Sequence, residues 1–164
     1  MQTAVEQHAL TIHRIEALST IALSTISIME PIEYRSDRKL SVDEFADVLK
    51  RTSLGARRPV DDRRKLQLML DHGNVLISAW HNDKLIRVSS ALTDFSFCCY
   101  LSDLALDESY QRQGIGKRLI DETHRVAGHD TTLILLAAPA AKDYYPHIGM
   151  ERFTDCFRIQ RKTV

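Results

Sequence analysis

The chain has 164 residues, 44% hydrophobic and 27% charged, which is one domain's worth with enough apolar material for a sizeable core. Its 22 Lys and Arg balance its 22 Asp and Glu, so no net field draws it to nucleic acid or to an anionic membrane. Cys98, Cys99 and Cys156 have no metal-ligand spacing, and this odd count fits reduced core thiols in a cytoplasmic protein rather than a disulfide scaffold.

Residues 1–28 stand apart. They hold a direct repeat, Ala17-Leu18-Ser19-Thr20-Ile21 followed by Ala22-Leu23-Ser24-Thr25-Ile26. The uncharged stretch from Ala17 to Met29 is too short to span a bilayer. Glu6, His8, His13 and Glu16 occupy the place where a secretory leader carries basic residues. Met29-Glu30-Pro31 reads as an alternative chain start. Residues 1–28 are therefore expected to be an extension, mobile or a start-site artefact, and residues 29–164 the domain.

Ile32 to Ser36 predicts a short strand. Ser41-Val42-Asp43-Glu44 is a capping box, opening a helix with Phe45, Val48 and Leu49 on one face. Ala56-Arg57-Arg58-Pro59 breaks it. A second helix runs from Asp61 to His72, with Leu66, Met69 and Leu70 as its buried stripe, and ends at Gly73-Asn74. Val75–Trp80 and Lys84–Val88 predict strands joined through His81-Asn82-Asp83. Cys98 to Leu106 is a further strand, and Gly114 to Ala127 a helix with Ile115, Leu119, Ile120 and Val126 inward. Leu133 to Leu136 is an unbroken apolar run and predicts a buried strand. Pro139 predicts a helix start, running to about His147. Phe153 to Gln160 predicts a closing strand.

Between the Cys98–Leu106 strand and its following helix lies Gln111-Arg112-Gln113-Gly114-Ile115-Gly116-Lys117. Two glycines one residue apart permit a sharp turn that presents successive N–H groups at a helix start, a setting suited to phosphate. Lys117 and Arg118 face the positive end of the helix dipole, at a cost of about 0.3–1 kcal/mol each that a bound anion would reverse. The segment lacks the Ser/Thr of a P-loop and the third glycine of a dinucleotide fingerprint. The Gln-x-x-Gly-x-Gly pattern instead resembles the acyl-coenzyme A loop of the GNAT (GCN5-related) N-acetyltransferases. Tyr100-Leu101-Ser102-Asp103-Leu104-Ala105-Leu106 resembles that family's central strand. Ala141-Lys142-Asp143-Tyr144-Tyr145-Pro146-His147-Ile148-Gly149-Met150 resembles its Ala-x-x-Phe-Tyr-x-x-x-Gly-Phe segment.

The resemblance implies an α/β domain whose mixed, mostly antiparallel sheet is flanked by helices and has a parallel strand pair at the acyl-coenzyme A site. It implies acetyl-CoA as co-substrate, with no metal, held by Leu104, Ala105, Leu106, Gln111, Arg112, Gln113, Gly114, Ile115, Gly116 and Lys117. Tyr145 stands where family members often protonate the departing thiolate, with Tyr144 as its competitor. Asp103 resembles the acidic position many members use to hold the amine, directly or through water. The residue types alone equally fit a buried Asp bonded to backbone or to an Arg. Asp94 is either part of the acceptor cleft or a turn residue. Pro146, Met150, Arg87 and Ala137-Ala138-Pro139 depart from the family pattern.

The implied activity is transfer of acetyl from acetyl-CoA to a primary amine of a small molecule or a protein. Nucleic acid and membrane are not expected partners, and the protein is a monomer or a homodimer. The alternative from another class is a non-catalytic acyl-CoA sensor on the same fold.

Overall fold

A computed structural model describes residues 31–106 and 113–162. The repeat-bearing extension, Gln111 and Arg112 lie outside the described residues. The elements run β1 (Glu33–Arg35), α1 (Val42–Lys50), a 3-10 turn (Gly55–Arg57), α2 (Arg63–His72), β2 (Val75–His81), β3 (Lys84–Thr93) and β4 (Cys98–Leu106). They continue with α3 (Ile115–Ala127), β5 (Thr132–Leu135), a second 3-10 turn (Pro139–Ala141) and α4 (Tyr144–His147). The five strands lie in one sheet in chain order. Neighbours are antiparallel from β1 to β4, and β4 and β5 are parallel, joined by the α3 crossover.

Local chemistry explains most boundaries. The Ser41 hydroxyl accepts from the Glu44 N–H while Glu44 accepts from the Ser41 N–H, completing the capping box of α1. Asp62 caps α2 through the Lys65 N–H. The β2–β3 hairpin turns on Asn82 and Asp83, both at positive φ, where Asn and Asp are the side chains best tolerated. One core lies between the sheet and α3, built from Ile77, Ile86, Leu101, Ile115 and Leu119. The other lies between the sheet and the α1–α2 layer, built from Phe45, Leu49, Leu66, Val88 and Ala105.

Several expectations are corrected. Residues 151–162 form no strand and are exposed, Phe157 at 93% and Ile159 at 99%. Their apolar–polar alternation suits a strand, but β5 has four residues. The few bonds it offers are weak return for ordering a strand-length arm at about 1–2 kcal/mol per residue. In consequence β5 is an edge strand rather than a buried one: Leu133 and Leu135 pack on the core, while Ile134 and Leu136 are half-exposed. The helix expected from Pro139 to His147 is two short pieces. Pro146 has no N–H to donate to Lys142, so the helix restarts at Tyr144 with Pro146 in a first turn that needs no such donor. Of the cysteines only Cys99 is buried, and Cys98 and Cys156 are exposed.

Candidate active site

The site begins with one extra residue in β4. Ser90 pairs with Asp103 and Ala91 with Leu101, leaving Ser102 as a bulge. Strand alternation alone puts Leu101, Asp103 and Ala105 on one face. The bulge switches the phase, so Cys99, Leu101 and Leu104 face α3 while Asp103 and Ala105 face the α1–α2 layer. The parallel pairing with β5 stops at the same level, running from Cys98↔Thr132 to Leu101↔Leu135. β5 ends at Leu135 while β4 runs on to Leu106, and the point where their pairing stops is termed the fork. The β5-facing backbone groups of β4 beyond the fork, in the Leu104–Leu106 stretch, therefore have no strand partner among the described residues.

Beyond the fork the chain reaches the start of α3. Gly114 sits at φ 73° as its N-cap, in the left-handed region that glycine adopts without strain. No side chain caps this helix end, and no acidic residue lies in its first turn. A Cβ placed on Gly114 meets no described residue within 4 Å. Gln113 is exposed there. Ile115 and Gly116 are buried, so only their backbone can address a ligand. Lys117 and Arg118 are exposed and restrained by i,i+4 pairs to Asp121 (2.8 Å) and Glu122 (2.7 Å). Such a helix start, with free N–H groups and two cations, fits a pyrophosphate.

Asp103 is 1% exposed and ion-paired through Oδ1 with the Arg58 Nε. Arg58 Nη2 also donates to the Ser102 carbonyl at 2.7 Å, so one guanidinium ties the α1–α2 connection to the bulge. Asp103 Oδ2 is buried with no hydrogen-bond partner among the described residues. Sequence reasoning saw Arg57-Arg58-Pro59 only as a helix break. Two arginines in a short interhelical loop, with a buried carboxylate awaiting a cation, were the available signal.

Tyr144 and Tyr145 stand edge to face with ring centroids 5.3 Å apart. Burial raises both phenols above their ordinary range, so each keeps its proton at neutral pH. Their surroundings differ. Tyr144 feels Arg87, Lys117 and Asp121 on the α3 side, whereas Tyr145 feels Arg57. Asp94 is held in the β3–β4 turn, where its Oδ1 accepts from the N–H groups of Ser96, Phe97 and Cys98. These three bonds bring its carboxyl down to about 2.

Residues 42–150 match the profile of the Acetyltransferase (GNAT) family, and this match spans more than half of the chain. The chain belongs to the GNAT family. A curated relative, the uncharacterized N-acetyltransferase ycf52 of Gracilaria tenuistipitata var. liui, is 27% identical over 99 residues, covering 57% of this chain and 53% of that protein. The alignment thus spans about half the relative's length. A GNAT acetyltransferase from Streptococcus pneumoniae superposes with a TM-score of 0.63 at 20% identity, over 80% of this chain and 100% of that one. An aminoglycoside N-acetyltransferase solved with CoA also gives 0.63, at 15% identity, over 81% and 96% of the two chains. At these identities the likeness is one of fold. Among the described residues no three His, Cys, Asp or Glu side chains are grouped to hold a metal ion. No described helix is long and apolar enough to cross a membrane.

Proposed function

We propose that this GNAT chain transfers acetyl from acetyl-CoA to a primary amine of a small molecule. The observation that carries the reading is the fork between β4 and β5 beside an uncapped, glycine-started helix. An extended thioester substrate has its amides opposite the free edge of Leu104, Ala105 and Leu106. Its pyrophosphate rests on the backbone N–H groups from Gln113 to Lys117, with Gln111 and Arg112 as the loop's first members. Its acyl group then lies at the fork.

There the amine lone pair attacks the thioester carbonyl carbon. The resulting tetrahedral centre expels the CoA sulfur as the C–S bond breaks. Tyr145 donates its phenolic proton to that sulfur, since burial keeps the phenol protonated and Arg57 sets it on the side of the α1–α2 connection. The nitrogen that has formed the new C–N bond releases a proton to water, and the Tyr145 phenolate takes one back from water. Asp103 has two candidate roles, holding the amine and anchoring Arg58. Its near-complete burial under the guanidinium supports the second, which makes it a positioning residue. Asp94 has its Oδ1 committed to three backbone donors, which supports a turn role over acceptor binding. The aminoglycoside acetyltransferase among the structural neighbours supports a small-molecule acceptor. The unpaired thiols suit a cytoplasmic protein.

The test is acetyl-CoA turnover against a panel of primary amines, read as thiol release together with the acetylated product. Amine-dependent release is the expected result. Saturable acetyl-CoA binding with no product from any amine would instead make the chain a sensor.

A further inference from the structure

We propose that the acceptor amine carries an anionic group, carboxylate or phosphate, bound by an arginine-lined cleft beside the β4–β5 fork. This rests on the acetyl-transfer reading above and names its substrate class.

The cleft has a volume of about 480 Å³ and is lined by Arg57, Arg58, Arg158 and Arg161, with Leu136 and Ile159 as apolar walls. The whole chain is formally neutral, so this is a strong local concentration of charge. Arg35, Arg38, Arg51, Arg63, Arg118 and Arg125 each have a carboxylate partner. Arg57, Arg64, Arg158 and Arg161 have none among the described residues, and three of these four line this one cleft. Arg58 has Asp103, but the other three lining arginines have no carboxylate partner among the described residues. Like charges so gathered repel, and an anion between them removes the repulsion. The guanidinium fork matches carboxylate and phosphate oxygens two at a time, so arginine suits this task better than lysine.

The place is right for an acceptor rather than for the cofactor's phosphates. Arg58 is fixed to Asp103 and to the Ser102 carbonyl, which puts the cleft at the bulge, on the face occupied by α1 and α2. From the bulge β4 runs on to Leu106, about 13 Å at the strand rise per residue, before the chain returns to the glycine turn at the start of α3. Arg57, one cleft wall, also acts on the Tyr145 phenol. An anion seated among the arginines thus holds its own amine near the proposed acid. A polyamine or an aminoglycoside would meet repulsion there instead.

The full chain is assayed at saturating acetyl-CoA with matched acceptors: L-amino acids against their carboxamides, glucosamine 6-phosphate against glucosamine, and spermidine as the polycation. The anionic member of a pair should win by about 10–100-fold in kcat/KM, the range of a charge-assisted hydrogen bond. Whichever pair responds separates carboxylate from phosphate. Arg57→Gln and Arg158→Gln, both at exposed positions, should each raise the acceptor KM about tenfold while the KM for acetyl-CoA stays put. With the neutral acceptor Arg158→Gln, which lies outside the charges acting on the Tyr145 phenol, should behave as wild type. Preference for neutral or cationic amines, or an acceptor KM unmoved by both variants, overturns the proposal and leaves acetyl transfer standing. Acetyl-CoA binding with no acetylation of any amine removes the acetyl-transfer reading, and this proposal with it.

Discussion

Tyr145 and Tyr144 differ by one position and by which charges they face, and that difference is measurable. Tyr145→Phe removes a hydroxyl and keeps the ring, so the fold and CoA affinity should survive while kcat falls by about 10²–10⁴, the usual share of a general acid. Tyr144→Phe, on the side of Arg87 and Lys117, should cost much less. A large loss confined to Tyr144→Phe would move the acid by one residue. Asp94 supplies a separate test by pH. Its folded carboxyl titrates near 2, below the ordinary 3.8, so its contribution to stability is fully present above about pH 5. That contribution is lost as pH falls from there towards 2. Carboxyl-carbon NMR should show Asp94 titrating near 2, and a midpoint near 4 would mean that the turn bonds are not made.

Elements were legible where their signal is local. The Ser41 capping box, the Gly73 stop, the Asn82-Asp83 turn and the inward stripe of α3 each appear where the residues placed them. The bulge at Ser102 was not legible, because an extra residue is defined by the register of a neighbouring strand and leaves no mark in its own alternation. The absence of a strand at 151–162 was equally hidden, since alternation says that a segment fits a sheet and not that a partner edge is long enough. Among site residues the glycine loop was visible from its spacing, whereas Arg58 gains meaning only from meeting Asp103 across 45 positions of sequence. That pair yields a prediction at this scale. Arg58→Met leaves a buried carboxylate without its cation and should destabilise by about 3 kcal/mol in chemical denaturation, the low end for a broken buried pair. The low end applies because the Arg58 side chain is 20% exposed and water can reach the site. A change under about 1 kcal/mol would mean that the pair does not organise the bulge.

At the scale of the whole molecule, the described residues from β1 to α4 already carry a five-stranded sheet with a hydrophobic core on each face. We propose that residues 29–164 are the folding unit and residues 1–28 an extension to it. A chain begun at Met29 should then melt within about 5 °C of the full protein. A larger fall, on the order of 1 kcal/mol or more for a domain this size, would show that the extension is packed.

We propose that the turn at Gly114 and the fork beyond Leu101 form one thioester-binding track. Gly114 allows a direct test, because a Cβ there meets no described residue while its φ of 73° is costly for a β-branched residue. Calorimetric titration of the full chain with CoA should show saturable one-to-one binding. The folded Gly114→Val variant should lose it, as a side chain intrudes between backbone and pyrophosphate. Equal CoA affinity in the two proteins would contradict the account.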